Sequence, residues 1–221
     1  MLGRQRSFLL FTKMPFDGAR ILPRLGGMRA LFCFLTIVLS LNVAPVWAAA
    51  DATRSPNFKA NQIKTLDTLF AELKRSKDNA AAERLTTQIW RQWGDSGSDS
   101  INLMMDWAQK AIGTRNFAAA LDTLDQVVLL APDFAEGWNK RATLHFMMEH
   151  PQKSMADIER TLALEPRHFG ALAGMAEILR AEGNDVLALK AYERALEVYP
   201  RMRGAQQAVG DLTDSLSGDK M

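Results

Sequence analysis

Three prolines fix the architecture of this chain before any other residue is considered. Pro132, Pro166 and Pro200 are each 34 residues apart, and each closes an aliphatic or aliphatic-acidic run: Val128-Leu129-Leu130-Ala131, Leu164-Glu165 and Glu197-Val198-Tyr199. Registering the sequence on the prolines aligns small residues at Ala108, Ala142 and Ala176, and again at Ala120, Ser154 and Ala188. Large residues align at Leu124, Ile158 and Tyr192, with Val127, Thr161 and Ala195 three positions later. Each unit holds two windows of apolar residues at three- and four-residue spacing, for example Leu103 to Ile112 and Phe117 to Leu130, as amphipathic helices require. One such pair cannot bury both apolar faces. Stacking the next pair on it does, so small residues belong where helices approach closely and large ones where gaps remain. Proline ends the second helix because it lacks an amide donor and disfavours helical geometry in the residue before it. Breakers at Thr114-Arg115-Asn116, Glu149-His150-Pro151 and Glu182-Gly183-Asn184-Asp185 separate the paired helices.

A 34-residue period with a small residue in each helix and a closing proline resembles the tetratricopeptide (TPR) family. The units are 101–134, 135–168 and 169–202. In the central unit Trp138 falls where the family pattern W-x2-L-G-x2-Y begins, although Arg141 replaces the aliphatic residue, Ala142 the glycine and His145 the tyrosine. Arg141 is expected to pack its stem and send its head to an acid such as Glu136 or Asp106. The resemblance implies an all-α fold, an α-solenoid of stacked helix–turn–helix repeats, whose first helices line a concave groove for a protein or peptide partner. Carried onto this sequence, the groove residues are Asn102, Met105, Gln109, Glu136, Asn139, Thr143, Phe146, Met147, Ala173, Glu177 and Arg180. Met105, Phe146 and Met147 suit either an adaptable contact surface or simple packing between helices. Some TPR domains clamp a partner's terminal carboxylate with lysines and asparagines. Only Asn139 fits such a clamp and its basic partners are missing, so that role is not expected.

The flanks are less regular. Ala30 to Ala44 is a short apolar run preceded by Arg24 and Arg29 and followed by Val46-Trp47-Ala48-Ala49-Ala50, the form of a secretory signal peptide cleaved after Ala48 or Ala50. The run is shorter than the roughly 20 residues of a membrane span, so no permanent span is expected after cleavage. Met28 is the expected biological start, with a long leader or an uncleaved anchor as alternatives. Removing residues 1–50 takes away six bases and one acid, leaving 21 bases against 24 acids, which gives no electrostatic reason to bind nucleic acid. Cys33, the sole cysteine, leaves with the leader. Residues 51–61 read as a flexible lead-in, and 62–100 as a degenerate helical pair in the place of a first, capping repeat, with Ser98 where the closing proline would stand. Gly94 to Ser100 reads as a flexible joint with Asp99 or Ser100 capping the next helix. Residues 203–216 read as a C-terminal capping helix, and 217–221 as a disordered tail.

No enzyme is expected. His145, His150 and His168 form no zinc-type pair, Asp122/Asp125 and Asp157/Glu159 read as solvated helix faces, and no phosphate loop or positioned nucleophile is present, so neither metal nor cofactor is implied. The expected role is a secreted, periplasmic scaffold or adaptor in an envelope assembly. The alternatives are an accessory enzyme or hydrolase subunit with a site drawn from His145, Glu177 and Asp106, or a membrane-tethered assembly factor.

Overall fold

The computed structural model describes residues 56–218, which contain helices and no strand. The helices are α1 (Pro56–Arg75), α2 (Asn79–Gly94), α3 (Asp99–Gly113), α4 (Phe117–Leu130), α5 (Ala135–Met147), α6 (Pro151–Leu164), α7 (Phe169–Ala181), α8 (Asp185–Val198) and α9 (Arg203–Gly218). From α3 to α8 they form three hairpins, each packed on the next, with α9 closing the last against α8. The leader, the cleavage site and the last three residues of the tail lie outside the described residues.

The period visible in the sequence is repeated in the packing. Ala108, Ala142 and Ala176 are buried, as are Ala120, Ser154 and Ala188, so paired helices meet across small side chains. Ser154 adds a bond that alanine cannot, donating its hydroxyl to the Ala142 carbonyl at 2.8 Å. Leu124, Ile158 and Tyr192 fill the space beside them, and Val127, Thr161 and Ala195 are fully buried.

Both kinds of turn also repeat every 34 residues. Each first helix ends in a Schellman motif: the Asn116, His150 and Asn184 amides bond to the Ala111, His145 and Leu179 carbonyls at 2.8–2.9 Å. The turning residue is left-handed each time, with φ 59° at Arg115, 59° at Glu149 and 75° at Gly183. Only the third is glycine, the residue suited to that conformation. After each proline turn the amides of Phe134, His168 and Met202 return to the carbonyls of Ala131, Glu165 and Tyr199.

The N-terminal pair departs from the expected order. α1 and α2 do not extend the stack in front of α3. They lie along the edge where the proline turns emerge, and the residue after each proline meets α1 or the turn that follows it. Lys59 pairs with Asp133 at 3.0 Å, and Asp67 with Arg167 at 2.7 Å. Arg201 donates to the Ser76 and Lys77 carbonyls and, at 2.8 Å, to Asn79 Oδ1. These three docking points, 133, 167 and 201, are themselves 34 apart. At 1.5 Å per residue, α1 covers roughly 12–14 Å between successive ones.

Four local expectations change accordingly. Residues 56–61 are helical and not a flexible lead-in, because Pro56 at the first helical position costs no amide bond and presets φ. Gly94 to Ser100 is held in place: Asn102 accepts from the Ser96 amide at 2.9 Å and donates to Asp95, while left-handed Gly97 lets the Phe58 ring approach. Ser98, one residue earlier than expected, occupies the cap position of α3, without a side-chain capping bond. α9 runs on to Gly218, through the first two residues of the expected tail.

Candidate functional site

The edge-lying pair is anchored by an aromatic cluster. Apolar Leu66, Leu69, Phe70 and Leu73 of α1 and Ala82, Ile89 and Trp93 of α2 share one core with Phe169, and Val198 and Tyr199 pack against it. Trp93 meets Phe169 at 5.0 Å and Phe70 at 5.8 Å, and Trp90 meets Phe169 edge-on at 5.4 Å. At the centre lies His168, completely buried, its ring stacked on Trp93 with centroids 4.0 Å apart and planes 11° from parallel. Nδ1 of His168 caps α7 by accepting from the Ala171 amide at 3.1 Å. That leaves the Nε2 proton to point at Glu136 Oε2, 3.1 Å away, and Glu136 in turn accepts from Asn139 at 2.9 Å. Burial of this carboxylate is tolerable because two donors bond Oε2 and Lys140 Nζ lies 3.7 Å from Oε1.

This network corrects the groove expected from the sequence. Glu136 is withdrawn beneath α2 and does not face a partner, because His168 and Asn139 satisfy its carboxylate. Asn102 is occupied in the turn before α3. Met105 packs between the first hairpin's helices and the start of the second, the plainer of its two readings. Trp90 sits over Gly170, where any β-carbon would come within 2.7 Å of the indole. The N-terminal ends of α5 and α7 are therefore covered by α2.

Beyond that covered end the face opens. Asn139, Ala142, Thr143 and Phe146 of α5 and Gly170, Ala171, Gly174, Glu177 and Ile178 of α7 surround a pocket of about 160 Å³ with Ser154 and Ile158 of α6 beneath it. Glycines and alanines create the space, since Gly174 would otherwise send a β-carbon to 3.4 Å from Ile158. Phe146 and Met147 stand exposed on α5, Gln109 on α3, and Glu177 and Arg180 on α7, while Ala173 is half-buried. Glu177 is held by the Tyr192 hydroxyl at 2.5 Å, and burial followed by this bond pushes the tyrosine well above its usual range.

A second, polar pocket lies on the side where α5 meets α4 and α6, lined by Leu121, Asp125, Arg141, His145, Lys153, Ala156 and Asp157. Arg141 forks onto Asp157 at 2.7 and 2.8 Å and reaches Asp125 at 2.8 Å, not Glu136 or Asp106, because its stem points away from the network beneath α2. Asp157 is consequently buried and not a solvated helix face. Burial lowers the His145 pKa from 6.5, against the pull of Asp157 3.8 Å away. His145 Nδ1 is buried without a hydrogen-bond partner. His145 and Glu177, two members of the alternative catalytic set, line different pockets, and Asp106 lines neither. Among the described residues no group of three or more His, Asp and Glu is disposed to hold a metal, and no helix is long and apolar enough to cross a membrane.

A TPR repeat-containing protein of Rhizobium etli is 46% identical to this chain over 199 residues, covering 89% of this chain and 98% of the relative. The chain belongs to the TPR repeat-containing proteins. No family model matches it. Among solved structures, the first TPR domain of Spaghetti (RPAP3) bound to the HSP90 peptide SRMEEVD superposes with a TM-score of 0.51 at 19% identity, over 53% of this chain and 93% of that one. The Sgt2 TPR domain of Aspergillus fumigatus gives 0.51 at 14% identity, over 56% and 83%. These likenesses show a shared repeat fold. TPR proteins are protein-interaction modules.

Proposed function

We propose that this TPR protein is an exported, periplasmic adaptor in an envelope assembly, and that it holds a partner segment by inserting one apolar side chain between α5 and α7. The observation that carries this reading is the pocket of about 160 Å³, where Gly174 leaves room above Ile158 and exposed Phe146 forms the rim. A cavity of about 150 Å³ takes a benzene ring, so one aromatic or large aliphatic side chain fits. Arg180 is the only base among the groove residues, which favours apolar insertion over capture of an acidic tail. The basic flank, apolar run and Ala-x-Ala sequence before Asp51 support export.

Two measurements test the proposal. Partners cross-linked to the protein in envelope extracts should be lost with Gly174→Leu, which fills the pocket, and reduced with Phe146→Ala; equal recovery by all three forms contradicts the pocket assignment. N-terminal sequencing of the exported protein should begin at Ala49 or Asp51. Retention of residues 1–50 in a membrane fraction would instead support the tethered assembly factor.

A further inference from the structure

The 34-residue register makes one vacancy visible. Leu103, Gly137 and Ala171 occupy equivalent places, as do Trp107, Arg141 and Met175. In the second and third hairpins the preceding hairpin's second helix covers them: Gly137 makes room for Val127, Arg141 bonds Asp125 of α4, and Ala171 and Met175 pack with Ile158 of α6. The first hairpin has no such neighbour among the described residues, because α1 and α2 lie along the edge. Leu103 is 48% exposed and Trp107 57%.

From this we infer that the outer face of α3 is a self-association surface, on which a second copy of the chain docks antiparallel about a two-fold axis. The other end of the stack offers no complement, since exposed Arg203, Gln206, Gln207, Asp211 and Asp214 make the outer side of α9 polar. α3 complements itself. Asp99, Leu103, Trp107 and Lys110 follow one stripe at spacings of four, four and three. With Leu103 opposite the second copy's Trp107, Lys110 falls beside the second copy's Asp99, and symmetry supplies the pair twice. The patch is small, so the dimer belongs to the weak class, with a dissociation constant on the order of micromolar. It would set two partner-binding faces in one particle.

Sedimentation equilibrium of the full chain across a concentration series reads this directly. Wild type should shift from monomer to dimer, and Trp107→Glu should raise the dissociation constant at least about thirtyfold with unchanged circular dichroism, since the residue is exposed. Lys110→Asp should weaken the dimer, and adding Asp99→Lys should restore it. A wild-type monomer at all concentrations, as when residues before Pro56 cover α3, overturns the proposal; so does a dimer indifferent to Trp107→Glu, or a charge swap that does not rescue.

Discussion

The N-terminal pair and the three repeats that follow use the same local structure, two amphipathic helices and a tight turn, yet they bury their apolar faces in different ways. The repeats stack side by side. The pair α1–α2 instead lies across their proline turns, bonded to Asp133, Arg167 and Arg201 in turn. The difference follows from what each hairpin presents. A repeat meets its neighbour through aliphatic contacts such as Val127 on Gly137 and Ile158 on Ala171, whereas α2 presents Trp90 and Trp93, which fill the aromatic gap around His168 and Phe169. Helix pairing is thus local, while the surface a pair covers depends on residues a hundred positions away.

The contrast can be broken most forcefully at its aromatic centre. Trp93→Ala should cost about 3–5 kcal/mol and release the edge pair first. Hydrogen exchange would show α1 and α2 losing protection while α3 to α8 keep theirs; uniform loss would mean that the pair is integral to the stack. Arg141→Ala should cost about 3 kcal/mol in chemical denaturation by stranding buried Asp157. Its effect should fall on the repeats, and joint replacement by Arg141→Met and Asp157→Leu should recover most of it.

A smaller effect lies at buried His145. Burial lowers the His145 pKa, so the unfolded chain binds more protons and stability falls as pH drops through about 6.5 toward the lowered folded value. Thermal melts between pH 7.5 and 5 should show this decline, and His145→Gln should flatten it. The smallest changes lie in the turns. Glu149→Gly should stabilise the repeats by up to about 1 kcal/mol by removing left-handed strain, and Gly183→Ala should cost about as much, both read from denaturant midpoints. Glycine that destabilised position 149 would show that the glutamate side chain outweighs its backbone.

How far the sequence reveals this molecule follows the same divide. The prolines, the paired small residues and Leu124, Ile158 and Tyr192 specify the hairpins and their stacking, because each residue acts on a neighbour at a fixed register. The apolar stripes of α1 and α2 were equally legible, from Leu66, Leu69, Phe70 and Leu73 to Ile89 and Trp93, but a stripe does not say what it covers. His168 was missed for that reason: it follows a proline turn like any linker residue, and only Trp93, stacked on it in space, makes it central. Two signals were available. Ser98 breaks the proline series just before α3, and Asp133, Arg167 and Arg201 put a charge after every proline. Groove residues near the N-terminal ends of α5 and α7 could not be placed without knowing where α2 lies.

The placement of the N-terminal pair along the proline-turn edge can be tested at the native ion pair of the first docking point. Lys59 Nζ and Asp133 Oδ2 are 3.0 Å apart, within reach of zero-length carbodiimide coupling. Mass spectrometry of the monomeric coupled protein should recover an amide joining residues 59 and 133, and Asp133→Asn should abolish it. A coupled product that joins α1 or α2 to Asp99 or Asp106 of α3, with no link between 59 and 133, would contradict the account and return the pair to the front of the stack.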